Sequence, residues 1–295
     1  MIELLLQGIE SVYYPAIFAA FVLYFAVGIL WYSPGGLFGR AWLVDTGLAS
    51  RPGGYSFQPK SRILGALAML AALLHLGVIL QPDMMRPTAL NLGIVALVLT
   101  LIHGNLVATN YAYERKPARL WWINVGYVFI ILLALALGNA VQYYYVIGAD
   151  RLTEFHYKWI SHSATQVPWL ALPIGIVLHQ LLGFLWYSKL FGAVWMQEAG
   201  MKPADVGREA ALAALKKALL FGLLTFGLLT LLFAMYRVEG WIGALLVGPP
   251  VAIFHALMVG MNCAFEERSL RYFVITAGYP SLSIVLYALL YGLMG

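Results

Sequence analysis

The chain has 295 residues, of which 62% are hydrophobic and only 11% charged, with a formal net charge of +5 at pH 7. A soluble globular chain carries about 25% charged residues, so this composition excludes a soluble enzyme or binding module and points to a membrane protein. The basic pI near 9.2 would suit nucleic acid, but the basic residues sit in short segments between apolar runs and no nucleic-acid-binding module is recognisable.

Eight apolar runs are each long enough to cross a bilayer core, which takes about 20 helical residues. They lie near 14–33, 61–80, 90–112, 119–141, 167–188, 212–235, 241–263 and 271–294. The first has neither the basic flank nor the small-residue cleavage site of a signal peptide, and is expected to stay as a spanning helix. Of the 18 Lys and Arg residues, all but Arg86, Arg151, Lys158 and Arg237 fall after the odd-numbered spans. Basic loops stay in the cytoplasm, so both termini are expected on the outer side of a bacterial inner membrane. The segment 203–217 reads as an amphipathic extension of the sixth span.

The third span and the turn after it carry a line that returns in the seventh. HGNLVATNYAYERKPARLWWINVGY runs from His103 to Tyr127, and HALMVGMNCAFEERSLRYFVITAGY from His255 to Tyr279. Both copies place Asn, Ala, Glu, Arg and Gly-Tyr at the same distances from His. A second echo links LWYSPGGLFGRAWLVDTG, from residue 30, to LWYSKLFGAVWMQEAG, from residue 185. Such spacing implies duplication of one unit. Each unit holds an even number of spans, so the two enter the membrane in the same sense, as parallel repeats. The expected fold is therefore all-α and polytopic, with eight transmembrane helices in two four-helix repeats, 1–148 and 167–295. A linker at 149–166, rich in Trp, Tyr and charge, suits an interfacial helix. Its Glu154, His156 and His162 are metal-ligand types with nothing to fix their geometry.

The W-Y-S-x-x-L-F-G-x-x-W segment, followed by N-x-x-F/Y-E-x-x-x-x-R and Gly-Tyr, resembles the bacterial domain-of-unknown-function family 1761. Members are typically small proteins of four spans, so the resemblance implies two such units fused, and it covers nearly the whole chain. The first half departs from the pattern at Pro34-Gly35-Gly36 and Pro117. The family brings no activity with it.

On a helix of about 100° per residue, His, Asn at +7 and Glu at +11 fall on one stripe. His103, Asn110 and Glu114 form one such stripe; His255, Asn262 and Glu266 form the other. Polar groups do not face lipid cheaply, so both should point into the bundle and face each other across the repeat axis. The two His and two Asn residues are the candidates for a substrate path. Glu114 with Arg119, and Glu266 with Arg271, are expected as ion pairs at helix ends. Trp31, Tyr32 and Ser33, with Trp186, Tyr187 and Ser188, read as an interfacial aromatic belt, with an aromatic gate as the sharper alternative.

No nucleophile motif, phosphate loop, HExxH or CxxC is present, so no enzyme is expected. Three functional classes follow. The first is a permease or channel for a small solute, which needs a wet cavity touching both His103 and His255. The second is a non-catalytic accessory or assembly subunit that holds other membrane proteins. The third binds haem or copper through His75, His179 or His255 with Met258, beside Cys263, the only cysteine. No cofactor is expected on the first two readings.

Overall fold

The computed structural model describes residues 12–50, 58–79, 89–147, 167–201 and 207–295. The expected interfacial linker, with Glu154, His156 and His162, lies outside the described residues. The first half runs through α1 (Tyr14–Tyr32), a short α2 (Gly39–Asp45), α3 (Pro59–Ile79), α4 (Ala89–Tyr113) and α5 (Ala118–Ile147). The second half repeats this order in α6 (Ala171–Leu185), a short α7 (Gly192–Glu198), α8 (Arg208–Met235), α9 (Gly240–Phe265) and α10 (Leu270–Met294). A π-helical turn, Trp186–Leu190, continues α6. Eight of these helices are long and apolar enough to cross a membrane. A lipid-exposed backbone can satisfy its polar groups only within itself, which is why each apolar run becomes a helix.

Elements end where the sequence allows the chain to turn. Beyond α4, Arg115 takes a left-handed conformation (φ 57°), and beyond α9 its counterpart Glu267 does the same (φ 53°). Lys116 N–H then bonds back to the Tyr111 carbonyl at 2.9 Å and Arg268 N–H to Cys263 at 2.8 Å. This six-to-one closure is a Schellman turn. It folds the residue after the left-handed position back towards the helix end. The prolines at 249 and 250 leave α9 unbroken, and the Pro250 carbonyl instead receives the His75 Nε2–H of α3 at 2.8 Å.

Helix packing does not follow chain order. Within each half the third and fourth spans pair (α4 with α5, α9 with α10), and the first span covers the fourth (α1 on α5, α6 on α10). The second span crosses over: α3 packs along α9 of the opposite half, and α8 along α4. Among the described residues no comparable packing joins α3 to α4 or α8 to α9. One continuous buried core results, running from Ala20, Leu73 and Val95 through Ile131 to Leu229, Phe254, Met258 and Tyr287.

This exchange predicts how the halves behave apart. When residues 1–148 and 149–295 are co-expressed as separate chains, a tag on one should recover the other at a 1:1 ratio. Either half alone should aggregate or pair with itself. Two independently monomeric halves, seen by light scattering in detergent, would contradict the exchanged packing.

Candidate binding chamber and the polar axis

The repeated aromatic motif fastens the first span of each half to the fourth. Trp31 donates its indole N–H to the Ile123 carbonyl at 2.9 Å, and Trp186 does the same to Ile275 at 3.1 Å. Phe38 and Phe191 cover these indoles, with ring centroids 4.6 and 4.7 Å away. Tyr32 meets Trp42 and Tyr127 edge-on at 5.4 and 5.1 Å; Tyr187 meets Trp195 and Tyr279 at 5.3 and 5.5 Å. The Gly-Tyr of the fourth span completes the joint. A Cβ at Gly126 or Gly278 would press on the facing indole at 3.4 or 3.1 Å. Tyr127 donates its hydroxyl to the Tyr24 carbonyl at 2.7 Å, and Tyr279 to the His179 carbonyl at 3.1 Å. The motif is thus a helix-to-helix clasp within each half. Ser188 turns its hydroxyl back onto the Phe184 carbonyl.

His103 and His255 meet where α4 crosses α9, with Nδ1 to Nδ1 at 3.1 Å and both rings fully buried. One ring donates the Nδ1 proton and the other accepts it, so the pair holds together with both imidazoles neutral. His255 Nε2 has no partner, which costs about 1–3 kcal/mol for a buried polar atom. Phe254 packs edge-on against His103. The half-buried His75 and the buried His179 stand apart. His75 is committed to Pro250, and His179 to Ser283 through Nδ1 (3.0 Å) and to the Tyr279 hydroxyl through Nε2 (2.8 Å). Met258 is buried in the core on the same helix as His255. Among the described residues no three His, Cys, Asp or Glu side chains gather as a metal site.

Below the histidines, Asn110 and Asn262 border a cavity of ≈ 30 Å³ with Glu266, Tyr272 and Thr276. A water needs about 10–15 Å³ measured in this way, so there is room for one. Further along, the ion pairs differ from those expected. Glu114 and Glu266 do not pair with Arg119 and Arg271. Arg119 instead forks onto Asp45 of α2 at 2.6 and 2.8 Å. Lys116 bridges the two halves, 2.9 Å from Glu266 and 3.4 Å from Glu114, while Arg268 reaches Glu266 at 3.2 Å and Tyr272 bonds Glu114. The Schellman turns are the physical reason. They bring position +2 after each Glu back over the axis and send position +5 outward on the next helix. Both carboxylate side chains are buried within the protein. Burial pushes the Glu266 carboxyl up, but Lys116 and Arg268 outweigh it and hold the group below the usual carboxylate range. Burial likewise disfavours the Lys116 charge, and Glu266 with Glu114 more than restores it.

The principal cavity, ≈ 550 Å³, lies beside this network between the first half and the end of α9. Tyr24, Tyr32, Trp42, Tyr127 and Phe265 give it aromatic walls; Asn124, Asn262 and Glu266 give it polar ones, and Arg62 stands at its basic end. Of the path candidates it takes in only Asn262. Among the described residues, neither this cavity nor the smaller one is lined by His103 or His255, where the permease reading had placed a wet one. Tyr32 donates to Asn124 Oδ1 at 3.1 Å and Asn124 Nδ2 to the Tyr111 hydroxyl at 2.7 Å. Sequence reasoning missed Lys116, although a basic residue two places after each Glu is common to both copies. It also passed over Tyr24 and Asn124, which no repeat marks.

Three predictions follow from the axis. His103→Leu should lower stability by about 1–3 kcal/mol, because His255 is left buried without a partner. His103→Leu/His255→Leu should recover most of that loss in thermal unfolding in detergent. Lys116→Met should cost about 3–5 kcal/mol by stranding buried carboxylates. The pH profile has a definite sign. The depressed Glu266 contributes stability that is full above the unfolded carboxyl pKa of about 4.3 and is lost as pH falls through the lower folded value. The raised Lys116 contributes below about pH 10.4 and is lost above it. The difference in unfolding midpoint between the parent and a Lys116→Met chain should therefore be constant between these limits and should shrink as pH falls below about 4.3.

None of the curated proteins and none of the solved structures compared with this chain matches it. One family does, and it matches twice, over residues 15–138 and again over 170–292. Its description reads "Protein of unknown function (DUF1761)". The chain belongs to that family, as two copies of its unit in tandem.

Proposed function

We propose that this is a non-enzymatic carrier in a bacterial inner membrane, with its basic end towards the cytoplasm, taking a small solute into the ≈ 550 Å³ chamber between the repeats. The observation that supports the reading is the position of that chamber. It is bordered by the clasp of one half and the Asn-Glu end of the third span of the other, so any rocking of the halves changes its shape. Sites at the interface between repeats are a common plan for carriers. The packed histidine pair then serves as the dry plug on the far side, and the site is centred on Asn262, Asn124 and Tyr32.

Proteoliposomes loaded with a cytosolic small-molecule extract provide the test. One or a few solutes should leave faster than from protein-free vesicles. Ser33→Phe, which fills the chamber, should slow that flux at least about tenfold, an affinity change of roughly 1.4 kcal/mol or more. Its counterpart Ser188→Phe, which faces away from the chamber, should leave the flux unchanged. No solute-selective loss, together with stoichiometric recovery of another membrane complex from native membranes, would overturn the carrier in favour of an accessory subunit. A Soret band or bound copper in protein purified without chelator would favour the third class.

A further inference from the structure

Most polar groups on the chamber wall are committed within the protein. Asn124 is held between Tyr32 and Tyr111, and Tyr127 gives its hydroxyl to the Tyr24 carbonyl. Trp42 and Arg62 are likewise engaged. The Tyr24 hydroxyl is sealed beside Gly65 of α3 and offers the chamber nothing. Two groups at the end of α9 stay open. The Asn262 amide lines the chamber, is half-exposed and, among the described residues, bonds to nothing. Glu266 follows one helical turn later, its N–H bonded to the Asn262 carbonyl at 2.8 Å. Lys116 and Arg268 both reach its Oε2 oxygen, at 2.9 and 3.2 Å, so Oε1 is left unbonded and, unlike the Tyr24 hydroxyl, is not sealed. Ser33, at the end of α1, adds a half-buried hydroxyl. The repeat does not explain the open amide. Its counterpart Asn110 is 5% exposed and borders only the small cavity. An amide on a mostly apolar wall needs water or a ligand with matching donors and acceptors.

We propose that the chamber binds an uncharged, flat heterocycle with a lactam edge, a ring N–H beside a carbonyl, as in hypoxanthine or uracil. The Asn262 amide N–H donates to the ring carbonyl, and the ring N–H donates to Glu266 Oε1. Side chains one helical turn apart are about 5–6 Å from each other at Cβ, near enough to converge on adjacent atoms of one edge. Amide side chains read base edges in this way. Tyr32 of α1 and Phe265 of α9, both half-buried on the chamber wall, supply ring faces for the heterocycle. Glu266 already touches two cations, so the site calls for no charge on its ligand. A mostly apolar pocket with a few convergent polar groups is the usual form of a small-molecule site. The proposal rests on the chamber being the binding site of the carrier, and names its substrate class.

Tritiated hypoxanthine and uracil are the probes, in equilibrium dialysis against the full chain in detergent micelles. At least one should bind saturably at one site per chain. Its methylated form, 1-methylhypoxanthine or 1,3-dimethyluracil, keeps the ring and carbonyl but cannot donate to Glu266. It should compete about 10- to 100-fold less well, the range for a hydrogen bond to a charged group. Asn262→Leu should bind the probe about 3- to 10-fold more weakly, the range for a neutral hydrogen bond. It should unfold at the same or a higher temperature, since the amide has no partner in the protein. The methylation test needs no variant, so it decides the matter even if Asn262→Leu misfolds. Saturable binding of neither probe overturns the proposal, as does equal competition by the methylated form or equal affinity in a folded Asn262→Leu chain. Binding of sorbitol or phosphatidylglycerol in place of the probes also overturns it, assigning the chamber to a polyol or an anionic lipid. Asn262-dependent binding without flux removes the carrier and keeps the site. Flux of a solute that neither probe inhibits keeps the carrier and removes this substrate class.

Discussion

Helices surrounded by lipid gain little by hiding apolar surface from one another, so close fits and a few polar contacts decide which neighbours they take. Here the decisive contact is the indole N–H of the first span bonded to a backbone carbonyl of the fourth, made once in each half. Much of the conserved spacing between the two copies serves it. Glycine at 126 and 278 lets the indole approach, and the following tyrosine returns a hydroxyl to the first span. Phenylalanine closes over the ring from the re-entering turn. With the first and fourth spans clasped, the second span is left free to reach across to the other half.

The axis between the halves divides into two regions of different character. At its centre the two histidines form a neutral, dry contact whose single proton must belong to one ring or the other. Two identical positions therefore hold unlike tautomers, and the symmetry of the sequence is already broken there. Towards the basic end the same axis carries two buried carboxylates and two cations, with Lys116 spanning the halves. A bare buried charge is expensive, but a network in which each carboxylate has a cation or hydroxyl partner is tolerable and joins the halves specifically.

Much of the architecture was legible in the chain. Apolar run length marked the eight spans, and the two matching stripes set His103 opposite His255, as their contact bears out. What could not be read has an identifiable cause. The partner of Glu266 depended on a left-handed residue at Glu267 and Arg115, neither of which is a glycine that would announce a turn. The exchange of second spans left no periodic trace, because α3 and α8 are apolar on faces that meet lipid as well as on faces that meet protein. The chamber was hidden for a related reason. It arises where the halves differ, at Tyr24 against His179 and Asn124 against Thr276, and a reading based on what repeats passes over such positions.

The crossed second spans also explain why such a chain gains from being one polypeptide. A lone unit has no second span for its own third span, so it can complete its core only by domain swapping with another copy. Such a pair forms and separates by mass action, and both members must be identical. Joining the units by a short tether makes the encounter intramolecular, at an effective concentration of order millimolar, and folding no longer depends on dilution. It also releases each half from having to serve in both places. One half can then keep an open, aromatic pocket while the other fills the same position with a fully bonded histidine.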